Sequence, residues 1–234
     1  RLDYLNNLSR QICKERPSVE EIRRRYTEVL NRKPQPRYLQ YTAAILGGVG
    51  FGVYFGCDWL DALVATVICA VVEVYLGNIL DKKEHGLVVY NLVLAFLSSA
   101  AAFLLGKAGL GHHPDRIVLG LNMVLISGLG VANGIRDVLK RAYLSGIINI
   151  MNACLGAIAI ACGTGLAMLI FKGDMYEMYI APSIAVQLIS CGVASMGFAL
   201  VFKAAVRQSF YAGIGGLINC ACYLIVQYFC SNDF

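Results

Sequence analysis

The chain has 234 residues, 58% of them hydrophobic and only 15% charged, with a mean hydropathy of +0.62. That balance excludes an ordinary soluble domain. The net charge of +5 comes from Lys and Arg gathered in an N-terminal arm and between apolar runs, so the expected solvent is a lipid bilayer, and no nucleic-acid partner is expected.

Residues 1–37 are polar and carry ten of the twenty Lys and Arg residues. No removable signal peptide opens the sequence, and a start at Arg1 rather than Met leads us to expect further sequence upstream. The arm has the pattern of two short amphipathic helices. In "PSVEEIRRRYTEVLNRKPQP", Ser18 is placed as N-cap and Glu21 at the capping-box position, with Pro34 and Pro36 ending the helix. Ile22, Tyr26, Val29 and Leu30 share one face. Such a helix either lies on anionic lipid or packs in the cytoplasm. Its acidic residues favour the second.

Seven stretches then approach the roughly 20 apolar residues that cross a hydrocarbon core: Tyr38–Gly56, Trp59–Leu80, Leu87–Gly106, Ile117–Ile135, Tyr143–Phe171, Tyr179–Phe202 and Ser209–Phe229. They lack the alternation of barrel strands. The expected fold is an all-α membrane protein, a polytopic helical bundle of about seven transmembrane helices. With the N-terminus cytoplasmic, seventeen Lys and Arg residues fall inside and only Lys107, Arg116 and Lys172 outside, which sets the orientation by the positive-inside rule.

The second stretch holds Glu73 about 10 Å inside its end, seven residues before Leu80. A carboxylate at that depth is costly unless paired, protonated or hydrated. It is either a proton-coupling group or a structural carboxyl bonded to a neighbouring helix. The fourth stretch leads into "SGLGVANGIRDVLKRAYLSG". Asn122, Ser127, Gly128, Gly130, Asn133 and Gly134 make it a poor continuous helix. Irregular backbone is tolerated at membrane depth where it is buried in protein or lines a cavity, so a distortion near Ser127–Gly128 is expected, bordering a transport path. Arg136 and Asp137 offer one charge each to a zwitterion. The plainer alternative is that they anchor a helix end while the glycines permit close packing. In the fifth stretch Asn149 and Asn152 share a helical face and either line a path or bridge helices.

"GFGVYF" from Gly50 matches "GFALVF" from Gly197 at an offset of 147 residues. An odd number of spans between the copies would invert the second one. The expected organisation is a cytoplasmic arm (1–37), a first five-helix repeat (38–171) and the first two helices of an inverted second repeat (172–234). The remaining helices would come from missing C-terminal sequence or a second membrane subunit. The nine cysteines form no CxxC pair, and six of them lie within spans as packing residues. His112–His113 is taken as a solvated outer loop. Neither a metal nor a cofactor is expected. No His-Glu-x-x-His or Gly-x-Ser-x-Gly motif is present, so no enzyme is expected either.

Three segments in order, "RLDYLNNLSRQI", "PRYLQYTAAILGGVGFGVYFGCDWLDALVA" and "SGLGVANGIRDVLKRAYLSGIINIMNACLGAIAIACGTGLA", give the sequence its resemblance to the threonine/serine exporters. The most specific part is the run Asn133, Ile135, Arg136, Asp137, followed by Ser145–Gly146. The resemblance implies a ten-span transporter of two related halves in the inner membrane, exporting L-threonine and L-serine from the cytoplasm against protons. Residues from about 179 would begin its second half. Two-polypeptide members of the family are associated instead with succinate export. The family commonly has Pro where this chain has Ser127, and often Glu where Asn152 stands. The second departure moves the expected proton role toward Glu73. A non-transporting assembly subunit is the alternative of a different class.

Overall fold

A computed structural model describes residues 2–15, 17–31, 37–80, 82–126, 128–171, 182–202 and 204–231. Among them every regular element is helical. The chain divides into two compact units, Arg1–Arg37 and Tyr38–Phe234.

The first unit holds α1 (Leu2–Glu15) and α2 (Val19–Leu30). Ser18 caps α2 by accepting the Glu21 N–H at 3.4 Å. Glu21 does not complete the reciprocal box, because Arg24 and Arg25 take its carboxylate at 3.0 and 2.8 Å. They hold it below the usual carboxylate range, the Arg25 hydrogen bond acting most strongly. Arg25 also reaches Glu15 at 2.9 Å and so ties the two helices together. Of the expected apolar face Val29 is buried and Ile22 half-buried, while Tyr26 and Leu30 are exposed.

The second unit is a helical membrane bundle. α3 (Arg37–Tyr54) is followed by α4 (Trp59–Ile68), which continues through a π-helical stretch, Cys69–Leu76, into the short α5 (Gly77–Ile79). α6 (Lys82–Lys107) bends at Gly86, whose φ of 76° suits glycine. α7 (Pro114–Leu125) and α8 (Gly128–Leu139) follow, then α9 (Tyr143–Phe171), α10 (Ile184–Val201) and α11 (Val206–Ser231). Among the described residues five helices are long and apolar enough to cross a membrane, or six with α7 and α8 as one broken span. The first expected span is represented by a shorter apolar helix, Tyr41–Tyr54.

The core lies where α4, the π-helical stretch, α6 and α7 meet, around Cys69, Leu94, Phe103, Ile117 and Leu121. Ile147, Leu155, Ile158 and Leu166 on α9, with Ile218 and Ile225 on α11, remain exposed, as lipid-facing side chains do. Small residues bring the helices together. A Cβ at Gly163 of α9 would strike the Leu92 carbonyl and the Phe96 backbone of α6. Gly134 of α8 and Gly146 of α9 interlock, a Cβ on either coming within 3.0 Å of the other's carbonyl oxygen. α3 meets α10 in the same way. A Cβ at Gly50 would lie 3.0 Å from the Ala194 backbone, one at Gly197 would strike the Gly47 backbone, and the Phe51 and Phe198 rings meet edge-on at 5.3 Å.

Candidate functional site: a broken span and its polar groups

The α7 helix starts with Pro114 at its first turn, where a missing N–H costs nothing. It ends at Ile126, whose ψ of 125° leaves the helical region. α8 resumes at Gly128, bent by 44° from α7. The irregular backbone therefore lies where the glycines and polar residues of the fourth stretch lead one to expect it. The last carbonyls of α7 and the first N–H groups of α8 lose their helical partners there, apart from the Asn122 carbonyl, which accepts from Ile126, and the Gly128 N–H, which donates to the Ile126 carbonyl at 2.9 Å.

Before the break, three helices converge on a small polar group. Asn122 of α7 donates through Nδ2 to Thr164 Oγ1 of α9 at 2.9 Å, and Ser99 of α6 donates to the same oxygen at 3.3 Å. Asn122 Oδ1 is buried and accepts no hydrogen bond from a described residue. Further along α6, Asn91 is 1% exposed; its Nδ2 is 3.5 Å from the Gly156 carbonyl, and its Oδ1 is likewise buried without a described partner.

Beyond the break, a second group joins α8 to α9. Asp137 Oδ2 accepts from Ser145 Oγ at 2.8 Å and Asn149 Nδ2 at 3.2 Å. The intervening turn brings Arg141 to a φ of 64°. Arg136 is exposed, and no described residue forms an ion pair with it. Asn133 and Asn152 are also exposed.

At the start of α7 a buried clasp holds the half-helix. Asp61, fully buried at the start of α4, accepts the backbone N–H groups of His112 and His113 at 2.8 and 3.2 Å and that of Asp58 at 3.1 Å. His113 Nδ1 lies 2.9 Å from Asp61 Oδ2. Arg116 is 9% exposed and donates to the Gly56 carbonyl at 2.6 Å. Asp58, Asp61 and His113 bring three potential metal-ligand atoms within 4.8 Å. The Asp61 oxygens, however, already serve four donors, so the arrangement acts as a structural clasp. The same surroundings raise the Cys57 thiol to about 12, mainly by burial and then through the Asp61 carboxylate.

Residues 1–171 match a family model described as "Putative threonine/serine exporter". The chain belongs to that family. No curated protein and no solved structure matches it. The threonine/serine exporters are transporters rather than enzymes, and membership accounts for the multi-pass bundle and the small-molecule substrate.

Within the bundle the anticipated site residues separate. Asp137 and Asn149 come together, with Ser145 added; Asn122 belongs to the other group, about 22 Å further along α9 by the spacing of Asn149 and Thr164. Arg136 and Asp137 do not pair. Ser127 lies outside the described residues. Gly128 opens α8 with nothing within 4 Å of a Cβ there. Glu73 falls in the π-helical stretch, and its side chain lies outside the described residues. One reading is corrected for His113: the His112 ring is solvated as expected, but His113 is held on buried Asp61 by its backbone and ring nitrogens. Sequence reasoning missed Asp61, Asn91, Ser99 and Thr164. Asn91 and Ser98–Ser99 at i, i+7 and i+8 in "NLVLAFLSS" were a usable sign of one polar stripe on α6.

Proposed function

We propose that the chain exports L-threonine and L-serine from the cytoplasm, coupled to the proton motive force. The observation that carries this reading is the break between α7 and α8. A half-helix C-terminus attracts an ammonium and a half-helix N-terminus attracts a carboxylate; an amino acid carries both. A dicarboxylate such as succinate would instead favour two cations. Of the two arginines on the broken span, Arg116 is committed to Gly56, and only Arg136 is exposed. Arg136 meets the substrate carboxylate at the cytoplasmic border of the path, and Asp137 positions α8 on α9 beside it. A merely structural subunit would have no use for the buried acceptor that Asn122 leaves open beside the break.

Proton coupling is assigned to Glu73, since π-helical stretches recur at functional sites. The N-terminal arm is placed in the cytoplasm and the bundle in the inner membrane. Residues 172–234 form the first two helices of an inverted second repeat. The α3–α10 contacts support this. At the 147-residue offset Gly47 corresponds to Ala194, Gly50 to Gly197 and Phe51 to Phe198. The contacts Gly50–Ala194 and Gly197–Gly47 are each other's counterparts, and Phe51–Phe198 is its own. Such reciprocal contacts are what a two-fold relation between the two helices would produce, and they support this reading.

The test is flux of labelled threonine, serine and succinate from proteoliposomes, with and without an imposed pH gradient. Gradient-stimulated threonine and serine movement is expected. Movement of succinate alone, or of nothing above protein-free vesicles, would sink the proposal.

A further inference from the structure

Asn122 stands three residues before the end of α7, about 4.5 Å along the helix from the break. A serine or threonine whose ammonium and carboxylate sit at the break can therefore extend its side chain to this residue. The groups waiting there are uncharged. Thr164 Oγ1 accepts from Asn122 Nδ2 and pairs with Ser99 Oγ, and two paired hydroxyls keep one proton free for donation. Asn122 Oδ1 is open as an acceptor. One free donor beside one free acceptor is the complement of an alcohol, which both gives and takes a hydrogen bond. It is not the complement of a carboxylate, which only accepts, nor of a methyl group.

Resting on the exporter reading above, we propose that Asn122 and Thr164, with Ser99 fixing Thr164, form the subsite that recognises the substrate hydroxyl and so sets the preference for hydroxy amino acids. The subsite draws on α6, α7 and α9, so the opening of any one of these helices would expose it. In the present conformation the acceptor is sealed from solvent. The Asp137 group lies about 22 Å away along α9, too far to touch the same substrate molecule at once. The two groups act at successive points of the path.

A site built to bond a hydroxyl rejects the analogue lacking it far more strongly than a hydrophobic pocket rejects a lost methylene. The measurement is the ratio of initial efflux rates, serine over alanine and threonine over its isostere valine, from proteoliposomes holding the full chain. The wild-type ratio is expected to exceed about tenfold. Asn122→Leu and Thr164→Val should bring it close to one, because serine and threonine lose hydroxyl partners that alanine and valine never engage. Thr164→Ser keeps the hydroxyl and should keep the ratio, and matched thermal melting of all variants separates selectivity from misfolding. Serine export with an undiminished ratio in Asn122→Leu and Thr164→Val would overturn the subsite and leave the exporter reading standing. Wild-type protein that moves succinate but neither hydroxy amino acid, or that moves no solute, would overturn both.

Discussion

Arg136 and Asp137 are adjacent in sequence, yet the fold gives them different surroundings. Asp137 is held by Ser145 and Asn149, while Arg136 projects from the surface. Their substitutions should therefore differ in kind. Arg136→Lys preserves charge but loses the planar guanidinium; initial serine efflux at matched expression is expected to fall about tenfold, equivalent to about 1.4 kcal/mol. Near-normal flux would make Arg136 an interfacial anchor only. Asp137→Asn retains an acceptor oxygen and should keep most of the flux. Asp137→Ala leaves two donors without their acceptor and should cost about 1 kcal/mol, read as a lower melting temperature. The sequence displayed the candidates at this scale without their pairings. Ser145 and Asn149 reach Asp137 only because the chain turns at Arg141. Ser99 and Thr164 look like ordinary small residues in apolar runs until α6, α7 and α9 bring them together.

At the scale of elements, the fourth span divides its glycines between two tasks. Gly134 lies at the crossing with Gly146, whereas Gly128 opens a half-helix with open space beside it. Gly146→Leu should force α8 and α9 apart and destabilise the bundle by about 1–3 kcal/mol, with loss of a sharp melting transition in detergent. Gly128→Ala should melt at or slightly above the wild-type temperature, because alanine is the better helix former by about 0.5–1 kcal/mol. Equal destabilisation by both would contradict this division. Composition located the break, since a run of glycine and asparagine weakens a helix wherever it occurs. It could not show that Gly134 serves packing, because the partner glycine lies on the next helix. The π-helical stretch was hidden as well: Cys69–Leu76 is as apolar as any α-helical span apart from Glu73.

Across the whole molecule, apolar run length accounted for the all-helical membrane bundle, because hydrocarbon imposes nearly the same length on every spanning helix. It overstated the first span, whose apolar helix is short of a full crossing. Orientation rests on the seventeen-to-three distribution of Lys and Arg. A cysteine at position 83, in an otherwise cysteine-free chain, should react with an impermeant maleimide only after the membrane is opened. Labelling from outside intact cells would reverse the topology and move the Arg136 border to the other face.

The division of the fourth span bears on how the protein is made. Each half has twelve residues, roughly 18 Å of helix against about 30 Å of hydrocarbon. Neither half is long enough to halt in the bilayer as it leaves the insertion machinery. α7 can lean on α6, which is already synthesised, but α8 is gripped through Gly134 by Gly146 of a helix that emerges after it. Integration of this segment is thus a joint event, completed when α9 arrives. In a nascent chain ending before Tyr143, α7 already has α6 and the Asp61 clasp to hold it, while α8 still lacks its partner helix.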